Sequence, residues 1–63
     1  MTLRIKELRE EKGFSQSNLA MKLGVDQTSI SQWERGVANP AVSRLPDLAK
    51  ILNCSIDDLF PRE

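Results

Sequence analysis

Apolar residues along this chain recur three and four positions apart, in short blocks separated by glycines, which is the spacing of amphipathic helices. The first block, Leu3 to Lys12, carries Ile5 and Leu8 on one side. Its Arg4/Glu7 and Lys6/Glu10 pairs have the spacing of helical ion pairs, and Gly13 follows as a stop. Ser15 is a cap for a second helix through Leu23, with Leu19, Ala20 and Leu23 as its apolar stripe, ended by Gly24. Asp26 is the N-cap expected for a third helix through Arg35, with Ile30 and Trp33 facing inward and Gly36 as the stop. Val37 to Val42 reads as a loop containing Asn39-Pro40. A fourth helix is expected from about Arg44 to Leu52, capped by Ser43, with Leu45, Leu48, Ala49 and Leu52 on its apolar face. Pro46 falls in its first turn, where no intrahelical N–H is lost. Ser55 caps a last short helical turn through Phe60, closed by Pro61. No alternating run of β-branched and aromatic residues signals a strand. The expected class is all-α: a compact bundle of five short helices forming one domain over residues 1–63.

The link between the second and third helices is only Gly24, Val25 and Asp26. So short a connection makes the two helices cross closely, and that closeness dictates residue types. Ala20 has to be small under the third helix, Gly24 has to permit a positive φ, and Ile30 has to pack between the helices. Leu19, Leu23, Val25 and Trp33 complete the apolar underside. Together, at this spacing and between two capped helices, these residues are the signature of a helix-turn-helix.

From that point the chain resembles the Cro/repressor-type helix-turn-helix family, whose domains are lambda-repressor-like. The likeness extends well beyond the motif. It includes Ile5-Lys6-Glu7-Leu8-Arg9, Phe14-Ser15-Gln16, Leu19-Ala20 and Leu23-Gly24-Val25. It continues through Ile30-Ser31-Gln32-Trp33-Glu34-Arg35-Gly36, Leu45-Pro46-Asp47-Leu48-Ala49 and Ser55-Ile56-Asp57-Asp58-Leu59-Phe60. The resemblance implies sequence-specific binding of a double-stranded DNA operator by a transcriptional regulator, most simply a repressor. It places the recognition helix, about 26–35, in the major groove and the second helix across the backbone.

Carried over residue by residue, the resemblance makes Gln16 a phosphate ligand at a helix N-terminus. Gln27, Thr28, Gln32 and Ser31 become the candidates for base contact, since Gln suits adenine N6/N7 and the Thr methyl suits that of thymine. Ser17, Ser29, Arg35 and Arg44 become the candidates for backbone contact. Arg9 and Glu34 are expected to pair between the first and third helices. Ile56 and Phe60 are the candidate dimer contact, with a homodimer on DNA as the expected assembly. The chain departs from many relatives in carrying Ser17 and Asn18, rather than acids, just after Gln16. That substitution is expected to lose part of a capping box while removing negative charge near DNA. The rival function is a protein-binding module that keeps the fold; it would call for large apolar groups where Gln27, Thr28 and Gln32 stand.

Charge first weighs against a nucleic-acid ligand: nine basic and nine acidic side chains cancel. Their distribution restores the case. Acids gather at Glu7, Glu10 and Glu11 and again at Asp47, Asp57 and Asp58, whereas Phe14 to Pro46 holds only Asp26 and Glu34 against Lys22, Arg35 and Arg44. Asp26 is read as a cap before a cytosine reader, and Trp33 as core before a stacking platform. Lone Cys54 fills an apolar gap, with neither disulfide partner nor metal cluster in the sequence. With no histidine, no tyrosine and no nucleophile beside a base, an enzyme is not expected. No cofactor, metal, membrane or small-molecule ligand is called for. Met1-Thr2-Leu3-Arg4 leads directly into the first helix, so neither signal nor transit peptide is expected and the reading is cytoplasmic.

Overall fold

The computed structural model describes residues 2–61; Met1, Arg62 and Glu63, at the ends of the expected domain, lie outside the described residues. Four α-helices carry the fold: α1 (Ile5–Glu11), α2 (Gln16–Leu23), α3 (Gln27–Arg35) and α4 (Leu45–Ile51). Two 3-10 turns, Val42–Arg44 and Asp57–Leu59, flank α4, and no strand occurs among the described residues. The class is all-α as expected, but the fifth helix is a single 3-10 turn. Ser55 Oγ accepts from the Asp58 N–H at 3.2 Å, and Asp58 Oδ2 accepts from the Ser55 N–H at the same distance. This reciprocal clasp closes one turn, and Phe60 already has extended backbone (φ −86°, ψ 147°).

Two other boundaries differ from the expectation, each for a local reason. The first helix starts at Ile5, not Leu3, because the Arg4 N–H donates to the Leu59 carbonyl at 2.8 Å and the Arg4 guanidinium to that of Asp58 at 3.0 Å. These bonds tie the entering chain to the closing turn, and Leu3 goes into the core beside it. Ser43 does not cap the fourth helix. The Arg44 N–H closes a 3-10 turn on the Ala41 carbonyl, so the chain enters α4 through that turn and no side-chain cap forms.

The core joins all four helices. Ile5, Leu19, Ile30, Leu48, Leu52 and Leu59 are fully buried, and Leu8, Ala20, Leu23, Trp33 and Ala49 nearly so. Burying one such Leu or Ile contributes about 1.5–3 kcal/mol, which is the main resource of so short a chain. Ala20 at 4% exposure confirms why that position is small, and Trp33 at 7% is a core residue. Cys54 is half-buried against the core, and burial pushes its thiol pKa up. Gly24 (φ 79°) ends α2 in the left-handed region, its N–H and that of Val25 both donating to the Ala20 carbonyl. Gly36 (φ 75°) is constrained twice, since a Cβ there would also stand 2.6 Å from the Thr2 hydroxyl oxygen.

Candidate nucleic-acid interface

Each helix of the α2–α3 pair starts on a side-chain cap. Ser15 Oγ accepts from the Asn18 N–H at 3.0 Å while Asn18 Oδ1 accepts from the Ser15 N–H at 3.2 Å, so the capping box is complete. The expected loss of part of this box does not occur: an amide oxygen serves the N–H as a carboxylate would, and the negative charge is gone. Asp26 caps α3, its Oδ2 accepting from the Thr28 N–H at 3.0 Å. Hydrogen bonds from Thr28, side chain first and backbone second, hold the Asp26 carboxyl below its usual range. A carboxyl depressed in the folded state adds stability that is present above its unfolded value and lost as pH falls through the folded one. Asp26→Ser keeps a capping oxygen without the titration. Thermal melts from pH 7 down to pH 3 should therefore show the wild type losing a small lead over the variant in the acid range. Parallel pH profiles for the two proteins would refute it.

With the caps in place, the polar faces of α2 and α3 converge. Gln16, Asp26, Gln27, Thr28 and Ser31 line one open depression of about 370 Å³. Gln27 and Thr28 are exposed and Ser31 is half-buried, while Ile30 between them is fully buried. Gln32 and Ser29 are half-buried and do not line the depression. Ser17, at its edge, donates its hydroxyl to Gln27 Oε1 at 2.8 Å, and Gln27 Nε2 donates to Gln16 Oε1 at 3.4 Å. Three sequence-predicted residues are thus tied together at the meeting of two helix N-termini. Asp26, expected as a cap before a cytosine reader, lines the depression as well.

The cations of this central stretch are engaged within the fold. Arg44 donates to the Leu23 carbonyl at the end of α2 (3.4 Å), and exposed Arg35 to the Ser31 carbonyl (3.4 Å). Lys22 stands 5.1 Å over the Phe14 ring. Arg35 and Arg44 therefore lie away from the depression, at the far ends of α3 and α2.

Beneath the polar face lies an ion pair. Arg9 Nε donates to Glu34 Oε2 at 2.7 Å and Nη2 to Oε1 at 3.2 Å, with the two side chains 11% and 4% exposed. Arg9 Nη1 donates to the Phe14 carbonyl at 2.8 Å, so one guanidinium joins α1, the segment before α2, and α3. The hydrogen bond to Glu34 raises the Arg9 pKa further. Sequence spacing did not reveal that Gln16 Nε2 also donates to Glu34 Oε1, at 2.9 Å. The other ion pair among the described residues, Arg4–Glu7, is exposed on the Glu side and adds little. Lys6 and Glu10 form none.

Outside the depression, Val37, Val42 and Ile56 are exposed at 67%, 80% and 41%. Phe60 is half-buried and lines a shallow apolar depression with Leu3, Pro40, Val42 and Leu45. The two candidate dimer residues therefore differ: Ile56 stands out, whereas Phe60 is largely spent on the core. No helix of the described residues is long and apolar enough to cross a membrane.

Residues 5–59 match the Helix-turn-helix family. YazB of Bacillus subtilis, an HTH-type transcriptional regulator, is 37% identical over 60 residues, covering 95% of this chain and 87% of YazB. The P22 c2 repressor, solved with a synthetic operator, superposes with a TM-score of 0.85 at 37% identity, over 95% of this chain and 91% of that one. The biofilm regulator SinR of Bacillus subtilis, solved with DNA, gives 0.81 at 40% identity, over 89% and 90%. Likeness over nearly the whole length places the chain: it belongs to the helix-turn-helix family, in its Cro/repressor-type branch.

Proposed function

We propose that this chain binds double-stranded DNA sequence-specifically as a transcriptional regulator of the repressor kind. In this reading α3 enters the major groove and the N-terminus of α2 meets the phosphate backbone. The observation that carries it is the polar depression where Gln16, Gln27, Thr28 and Ser31 converge, on helices whose opposite faces form the core. A protein-docking face would be apolar at those positions.

Gln27 and Thr28 are the principal base readers, since both are exposed at the start of α3. Ser31 lies one turn on, and Gln32 reads from the rim. Gln16, Ser17 and Ser29 meet the backbone near the start of the two helices, and Arg35 and Arg44 more distally. The chain acts by binding and carries out no reaction of its own. It works as a homodimer on a two-fold site, with Ile56 and Phe60 at or beside the contact.

Selection of bound duplexes from a random pool, followed by titration of the winner across salt, tests this function. Each phosphate neutralised adds about −0.9 to the slope of log K against log salt. With so few cations assigned to the backbone, the slope should be no steeper than about −5. Gln27→Ala should reduce discrimination at one base pair by roughly tenfold, within the worth of one bidentate contact. A protein showing no preference for any selected duplex over competitor DNA at low salt would refute the proposal.

A further inference from the structure

The bonds around Gln16 and Gln27 have a direction, and a buried anion sets it. Glu34 Oε1 receives both Arg9 Nη2 and Gln16 Nε2, and Oε2 receives Arg9 Nε. An ionised carboxylate only accepts. The end of Gln16 that faces Glu34 must therefore be its NH2, which turns Oε1 toward Gln27. Gln27 must then present Nε2 to Gln16, which leaves its Oε1 to accept the Ser17 hydroxyl. Two neutral side-chain amides, each able in isolation to point either way, are oriented in series by one charge held at 4% exposure.

We propose that Glu34 is a specificity-determining positioning residue, fixing through Gln16 which end of the Gln27 amide is nitrogen and which is oxygen at the DNA surface. Each end of Gln27 keeps one unused valence: a second N–H on Nε2 and a second lone pair on Oε1. That is one donor and one acceptor in a fixed order, the complement of adenine N7 and N6, whereas guanine offers two acceptors. Reversing the amide would exchange donor and acceptor and spoil the match. Glu34 touches no base itself. It acts through Gln16, and the inference rests on Gln27 being a base reader.

The test uses the selected duplex and its single-base-pair variants, with the full chain as wild type, Gln27→Ala, Glu34→Gln and Gln16→Met. Gln27→Ala identifies the base pair that Gln27 reads. Glu34→Gln keeps the side chain's size but can donate as well as accept, so Gln16 is free to turn over. Preference at that one base pair should fall about threefold, less than in Gln27→Ala because a freed amide can still adopt the matching order, with preferences elsewhere in the site retained. A purely structural role for Glu34 would instead weaken binding to all duplexes alike. Gln16→Met breaks the series while leaving the Arg9–Glu34 pair intact, and it should relax the same base pair; it decides the matter alone if Glu34→Gln does not fold. Wild-type preference at that base pair in either folded variant overturns the inference. If Gln27→Ala leaves every preference unchanged, base reading by Gln27 fails and the inference falls with it, by a result distinct from the first.

Discussion

Arg9→Met should remove a large share of the chain's folding stability. The substitution retains much of the aliphatic stem but strands the Glu34 carboxylate, 4% exposed, with the Gln16 amide in place of a cation. Breaking a buried pair by removing one partner costs about 3–5 kcal/mol. A domain of this size holds on the order of 3–9 kcal/mol in total. Arg9 also loses its bond to the Phe14 carbonyl, so the segment leading to the α2 cap comes loose from α1. Glu34→Leu should be milder, because the Arg9 head keeps Phe14 and its long stem can carry the charge toward water. The double variant Arg9→Met/Glu34→Leu should be more stable than Arg9→Met alone, since neither charge is then left uncompensated. Urea unfolding of the four proteins gives the coupling energy, expected at about 2 kcal/mol. Additive losses would mean that the pair is incidental to stability.

The parts of the fold legible in the sequence are those governed by neighbours. Ser15 and Asp26 cap residues two or three positions ahead, and Gly24 and Gly36 end helices by their own φ. These were readable from short strings of residues. The start of α1 was not, because it depends on Arg4 meeting Asp58 and Leu59, more than fifty positions away. The entry to α4 was misread for a subtler reason: Ser43 is a good cap by type, but the 3-10 turn on Ala41 satisfies the chain before the hydroxyl is needed. In the candidate interface, residue types and the helix pair were visible, since both follow from the motif. The bond from Gln16 to Glu34 was not, as no local rule links a residue opening α2 with one near the end of α3. Gln32 shows a further limit: periodicity puts it on the outer face, yet it is half-buried and does not line the depression.

Ile56→Glu is expected to abolish cooperative binding to a two-fold symmetric site while leaving binding to a single half-site unchanged. One recognition helix reads only a few base pairs, and a regulator must discriminate against a genome of competing sequence. Two copies related by a two-fold axis, with recognition helices about one DNA turn (~34 Å) apart, double the information read. A standard interface takes about 800 Å² from each partner. That is roughly a fifth of the 3980 Å² this chain exposes. The apolar material available for it, Val37, Val42 and Ile56 with the shallow depression by Phe60, is scattered and partly polar at its edges. Such a contact is too small to hold a dimer in dilute solution. It can still act on DNA, where adjacent half-sites raise the local concentration of one copy at the other to the millimolar range (~1 mM). A carboxylate at position 56 would be desolvated against a partner's apolar surface, and affinity for the full palindrome should fall by about tenfold or more. Ile56 is 41% exposed and outside the buried core, so melting should change little and separates lost cooperativity from lost fold. Gel-shift titration of palindromes and isolated half-sites reads the outcome. Equal affinity of the wild type for both would show that each copy binds alone, and that the exposed Ile56 has no part in DNA recognition.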